Sequence, residues 1–193
     1  MSILKEIVEK TRITIDKRKE SKSLNYLKSQ VENLTLAEPN FKKSLLNKNE
    51  AVIAEIKKAS PSAGIISHNF DPVSKAKEYE NIGASALSIL TEEDYFKGSS
   101  KYLEEVRRQT RLPILRKDFM IDEYQLYEAK LMGADCILLI ASILNDEQLK
   151  SFVLLAETLK LDYLIEVHDI DELRRVEAMK YQRHLCFYDR SQT

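Results

Sequence analysis

The chain has 193 residues, 44% of them hydrophobic, and its 30 Lys and Arg against 31 Asp and Glu leave a net charge of -1. That length is ample for one packed domain, and a charge so near zero gives no support to binding of nucleic acid or another polyanion. The longest apolar run, 136–141, is far too short to cross a bilayer. MSILKEIVEKTR carries charges inside its apolar pattern, unlike a signal peptide. A cytoplasmic protein with no membrane attachment is therefore expected. Cys136 and Cys186 lie in apolar runs and fit reduced core positions better than a disulfide framework. No His/Cys spacing matches a metal site.

Residues 1–48 show no strand pattern and are read as a helical extension packed on the main domain. Ile3, Leu4, Ile7 and Val8 recur at helical spacing, with the charged segment TRITIDKRKE after them. Leu24, Leu27 and Val31 form a second stripe, and Glu38-Pro39 opens a third helix with Phe41, Leu45 and Leu46 inward. The alternative is a charged leader.

Residues 49–193 alternate strands and helices within what is read as one domain overall. In the run 51–57, AVIAEIK, Glu55 and Lys57 flank Ile56 and so point to the same side if the run is a strand. A carboxylate and an ammonium seldom lie inside without partners or a function; a plain Glu–Lys ion pair is the simpler reading. Asp71-Pro72 starts a helix as N-cap and first residue, with Val73, Ala76, Tyr79 and Ile82 on one face and Gly83 as its C-terminal stop. A strand follows over 86–90, and a helix over 99–109 with Tyr102, Leu103 and Val106 inward. Pro113 opens the strand PILRKDF. Asp122 and Gln125 have capping-box spacing for a helix to Gly133 that buries Tyr124, Tyr127 and Leu131. The next strand, 136–141, leads through the cap pair Asn145 and Gln148 to a helix with Leu149, Phe152, Val153, Ala156 and Leu159 inward. Strand 163–167, helix 169–179 and strand 184–188 complete the series.

Continuously apolar strands alternating with single helices predict βαβ units and a parallel sheet, either doubly wound or a (β/α)8 barrel. KKASPSAG stands where a dinucleotide fold would carry GxGxxG. In a barrel, function collects at the C-terminal strand ends. Here those ends carry Glu55 and Lys57, Thr91 and Glu92, Lys117 and Asp118, Ser142, then Glu166 and His168. So many ionisable residues at one edge favour a site.

The segments AEIKKASPS, SILTEEDYFKGS, LPILRKDFMIDEYQLYEAKLMGADCILLI and LIEVHDIDEL, in this order from about Ile7 to Val176, closely resemble indole-3-glycerol phosphate synthase. The resemblance implies a (β/α)8 barrel with N-terminal helices. It also implies a decarboxylating, dehydrating ring closure of a phosphorylated carboxyphenylamino-deoxyribulose, with no metal or organic cofactor. It makes Lys117 the general acid, Glu166 the base or stabiliser of the cationic intermediate, and Lys57 the partner of the substrate carboxylate. Glu55 would orient the lysines, Ser60 would help bind substrate and phosphate, and Phe96 and Phe119 would line an aromatic pocket with Leu138 behind. The simpler alternatives pair Lys117 with Asp118 or Glu123, make Glu166 an interior ion-pair partner, and treat Phe96 as loop packing. His168 is read as a structural histidine.

A full barrel of this type takes about 250 residues, whereas this chain stops near a sixth strand, so an incomplete barrel of about six βα strands is expected. At the family's Asn-x-Arg motif the chain reads CFYDRSQT, which puts Tyr188 at the Asn position and keeps Arg190. No glycine follows Gly133 to build later phosphate-binding loops. A truncation or frameshift would give such a tail, and little activity is expected of the chain alone. Two open sheet edges would favour self-association. Two competing readings stay open: a non-catalytic fragment that acts through another chain, and a Schiff-base aldolase using Lys117 or Lys57.

Overall fold

A computed structural model of the chain describes residues 3–181 and 185–188. Six parallel strands form one sheet: β1 (Ile53–Ile56), β2 (Ala86–Leu90), β3 (Ile114–Lys117), β4 (Cys136–Ile140), β5 (Asp162–Val167) and β6 (Leu185–Tyr188). Each strand pairs with the one before it, so the sheet grows in chain order. Helices α4 (Pro72–Asn81), α5 (Ser100–Arg107), α6 (Glu123–Met132), α7 (Asp146–Thr158) and α8 (Ile170–Ala178) are the crossovers. Parallel neighbours need such long connections, and strands added always on the same side build a barrel wall rather than a doubly wound sheet.

The strands look uniformly apolar in the sequence, but the two faces belong to different cores. Leu87 and Ile89, Ile137 and Leu139, and Tyr163, Ile165 and Val167 pack outward against the helices. The alternate residues Ile53, Ala86, Leu115, Cys136, Leu138, Ile140 and Leu164 form a separate inner cluster. That is the period-2 alternation of a strand buried on both faces. Cys136 is fully buried there, and burial pushes its thiol well above the usual range, in keeping with an inert core residue.

The N-terminal residues fold as three helices: α1 (Ile3–Ser21), α2 (Leu24–Glu32) and α3 (Phe41–Leu46). The charged TRITIDKRKE segment is not a break. It continues α1, anchored by Ile7 and Ile15, with Arg18 paired to Glu128 and Lys19 to Asp122 and with Arg12, Asp16, Lys17 and Glu20 exposed. α2 lies against α6, Lys19 reaches Asp122 at 2.6 Å, and the Tyr124 hydroxyl donates to the Lys22 carbonyl at 3.0 Å. α3 starts two residues later than Glu38-Pro39 predicted and sends Phe41, fully buried, into the inner cluster.

Two inward assignments are corrected. Leu46 is 66% exposed and Ile82 is 75% exposed, because each falls at or just beyond a helix end, where the 3.6-residue stripe turns out into solvent. Gly83 follows with a positive φ of 89°, the stop expected of it. After β1, residues Ala59–Ser60 and Gly64–Ile65 pair as a small antiparallel ladder around Pro61. Among the described residues no helix is long and apolar enough to cross a membrane.

Candidate active site

Glu55 lies two residues beyond Ile53, Lys117 two beyond Leu115, and Glu166 two beyond Leu164, all on the inner face. The strand period therefore carries their charges inward at the C-terminal ends, above the inner core. Lys57, just past β1, keeps the same parity. These four, with Ser60, Phe96, Phe119 and Leu138, line a single cleft of about 670 Å³. Of the predicted site residues, eight share this one cleft; Arg190 lies outside the described residues. Tyr188 ends β6 beside Val167.

The charged groups form a chain across the cleft. Lys57 Nζ lies 2.8 Å from Glu55 Oε1, so the simple Glu–Lys pair does exist. The other Glu55 oxygen faces Lys117 Nζ at 3.9 Å, and Lys117 Nζ lies 3.7 Å from Glu166 Oε2. Both Lys117 distances exceed hydrogen-bond length. Among the described residues the ammonium lies between two carboxylates at ion-pair distance, with no hydrogen bond to either. Neither simple partner proposed for Lys117 takes it: Asp118 pairs with buried Arg116 at 3.0 Å and Glu123 with Lys28 at 3.2 Å.

Asp118, Arg116 and Thr91 form a buried network beneath the strand ends. Arg116 donates to Thr91 Oγ1, to the Gln125 carbonyl and to Asp118, and the Thr91 hydroxyl donates to Asp118. Thr91 is thus used up below the cleft. Glu92 is also diverted from it. Its carboxylate accepts the backbone N–H groups of Asp94, Tyr95 and Phe96 at 2.8–2.9 Å. That folds the loop after β2 so that Phe96 meets Phe119, with ring centroids 6.1 Å apart and planes 39° apart. Gly98 closes the loop because a Cβ there would lie 2.4 Å from the Leu90 carbonyl oxygen. The Ala59 N–H donates to the Phe96 carbonyl at 3.2 Å, joining this loop to the one bearing Ser60.

Some lining residues had no signal in the strand ends. Ile3, Leu4 and Ile7 of α1 lie over the cleft. Their helical spacing marked one face of a helix but not what that face meets; Ile7 is buried and Ile3 is 48% exposed. His168 was read as structural; it lines the cleft with Nε2 3.2 Å from Glu166 Oε1.

A parallel, sequentially ordered barrel wall with ammonium and carboxylate groups at its C-terminal strand ends defines a (β/α)-barrel protein with a charged cleft at that end. The profile of the family "Indole-3-glycerol phosphate synthase" matches residues 4–182. The indole-3-glycerol phosphate synthase of Ruminiclostridium cellulolyticum is 44% identical over 173 residues, covering 89% of this chain and 66% of the relative. That of Campylobacter fetus is 48% identical over 174 residues, covering 90% and 67%. That of Prochlorococcus marinus is 47% identical over 180 residues, covering 93% and 61%. The chain belongs to the indole-3-glycerol phosphate synthase family, and it spans about two thirds of the length of these curated relatives. A solved mandelate oxidase variant with bound (S)-mandelic acid aligns at a TM-score of 0.53 over 79% of this chain and 52% of its own, with 11% identity, a likeness of fold alone.

Proposed function

We propose that the cleft performs indole-3-glycerol phosphate synthesis, closing the indole ring of 1-(2-carboxyphenylamino)-1-deoxyribulose 5-phosphate. Lys117 donates a proton to the ketone oxygen as the aryl carbon bearing the carboxylate bonds to the ketone carbon. Carbon dioxide then leaves with its bonding electrons returned to the ring. The hydroxyl then takes a proton from an acid and leaves as water while a base removes a proton from the adjacent CH2, forming the double bond that completes the indole. Glu166 faces the cationic intermediate and serves this second stage. Lys57 pairs with the substrate carboxylate until it departs and assists the dehydration, and Glu55 orients both lysines. Phe96 and Phe119, with Leu138 behind, take the aryl group; Ser60 and Arg190 contact the remaining polar groups of the phosphorylated substrate.

The observation that carries this reading is the meeting of Lys117 and Glu166, from non-adjacent strands, 3.7 Å apart in a cleft with an aromatic wall. The test is turnover of that substrate by the purified chain, followed by indole fluorescence. Lys117→Ala is expected to lower kcat by at least about a hundredfold; equal turnover in the variant would sink the assignment.

A second reading is favoured by the sheet topology. Among the described residues β1 and β6 are the ends of the sheet, each paired on one side only, and such edges pair with other chains. The chain would then act by association. A sedimenting mass above 22.4 kDa together with no turnover supports it, and an inactive monomer counts against both readings.

A further inference from the structure

The acid–base scheme leaves His168 without a part, yet its ring has specific neighbours on two sides. Nε2 lies 3.2 Å from Glu166 Oε1 and Nδ1 lies 3.6 Å from Glu172 Oε2. The same Glu172 oxygen accepts the His168 backbone N–H at 2.8 Å. Glu172 stands in the first turn of α8, and its own N–H is capped by Asp169 at 2.8 Å. The His168 backbone is therefore tied to the start of a helix through Glu172, its Nδ1 faces the same carboxylate beyond hydrogen-bond length, and its Nε2 lies against the Glu166 carboxylate on the other side.

Glu166 needs such a partner. Its side chain is only 9% exposed, and among the described residues no backbone N–H or hydroxyl binds its carboxylate. His168 and Lys117 are the two groups placed to decide how it is turned. They divide its oxygens, Oε1 toward the imidazole and Oε2 toward the ammonium. A histidine that served only to close the turn between β5 and α8 would need nothing beyond Glu172. This one also sits in the cleft wall against the carboxylate.

We infer that His168, anchored by Glu172, is a positioning residue for Glu166: it holds Oε1 so that Oε2 faces Lys117 and the substrate. The inference rests on the acid–base role proposed for Glu166. Supporting groups of this kind fix the rotamer of a reacting side chain, and a misplacement of about 1 Å costs on the order of a hundredfold in rate.

The test has two arms on the full chain. Ring-nitrogen NMR of the 15N-labelled protein at one fixed pH is compared between the wild type and Glu166→Gln. The His168 Nε2 resonance is expected to move while that of His68 stays in place; an unmoved His168 resonance overturns the inference. This arm needs no turnover, so it decides the His168–Glu166 pairing even if the proposed reaction fails. In the kinetic arm, His168→Ala is expected to lower kcat by about ten- to a hundredfold while KM stays within about twofold. His168→Gln, which sets an amide N–H near the place of Nε2, recovers most of the loss. Unchanged kcat in His168→Ala, or an equal loss in both variants, overturns it.

Discussion

Arg116 and Lys57 are both cations with carboxylate partners, and their surroundings make them opposite cases. The Arg116 side chain is fully buried and reaches Asp118 at 3.0 Å and Glu128 at 3.3 Å, with further bonds to Thr91 and the Gln125 carbonyl. Removing it leaves buried Asp118 with the Thr91 hydroxyl and the Phe119 N–H but no cation, and leaves Glu128 with Arg18 alone. Arg116→Met is therefore expected to cost about 3–5 kcal/mol of stability, measured by urea unfolding. Lys57 pairs with Glu55 in a cleft open to water, both side chains 32% exposed, so Lys57→Met is expected to cost no more than about 1 kcal/mol and to act on turnover instead. The RKDF segment thus divides its labour: Arg116 and Asp118 hold the strand end, and Lys117 is left free to face the cleft. The sequence could name the charged residues of this segment but not their partners. Lys117 ends the strand and Asp118 follows it, and only the neighbouring elements decide which charge meets which.

Among the elements, helix starts were the most legible, because a cap is a local bond. Asp71 before Pro72 was read as an N-cap, and its carboxylate accepts the N–H groups of Val73 and Ser74 at 3.0 and 3.1 Å and the Ser74 hydroxyl at 2.6 Å. The Ser74 hydroxyl, then the Ser74 and Val73 N–H groups, with Lys77 nearby, hold its carboxyl below the usual range. A depressed carboxylate contributes stability that is present above its unfolded value and lost as the pH falls through the folded one. Amide exchange at Val73 and Ser74 should therefore stay slow at about pH 4 and quicken only in stronger acid, and Asp71→Asn should remove that acid dependence. Helix ends were less legible: Leu46 and Ile82 matched the apolar spacing but lie where the helix stops. The loop after β2 was the least legible. The three N–H groups gathered by Glu92 leave no pattern in composition, so Glu92 was read as part of the strand-end site rather than as the support of Phe96.

At the scale of the whole molecule, Phe41 joins the N-terminal helices to the inside of the barrel wall. It is fully buried against Ala86, Leu115, Cys136 and other inner residues, while Ile15 and Leu27 pack with Ile121 and Tyr124 on the flank. We propose from these contacts that residues 1–48 and the barrel unfold as one unit. Phe41→Ala is expected to cost about 3–5 kcal/mol. Its urea transition should move equally when followed by amide exchange in α1 and in β4; separate transitions would mean two independent units. The same interlock brings Ile3, Leu4 and Ile7 over the cleft, so the extension forms part of the site's wall.

The sequence by itself determined the order of strands and helices, the caps that start them, the parallel class of sheet and the ionisable strand ends. These follow from local bonds and from a period-2 or 3.6 pattern within a few residues. Eight of the nine site residues line one cleft: strand parity accounts for Glu55, Lys57, Lys117 and Glu166, whereas Ser60, Phe96, Phe119 and Leu138 were named through the family resemblance. The tertiary structure alone decided that Glu55 stands between two lysines, that Glu92 serves a loop, that α1 covers the cleft, and that His168 reaches Glu166. Each of these depends on distances between segments far apart in the chain, set by the curvature of the sheet and the packing of the helices outside it. Charge and spacing along one strand carry no record of them.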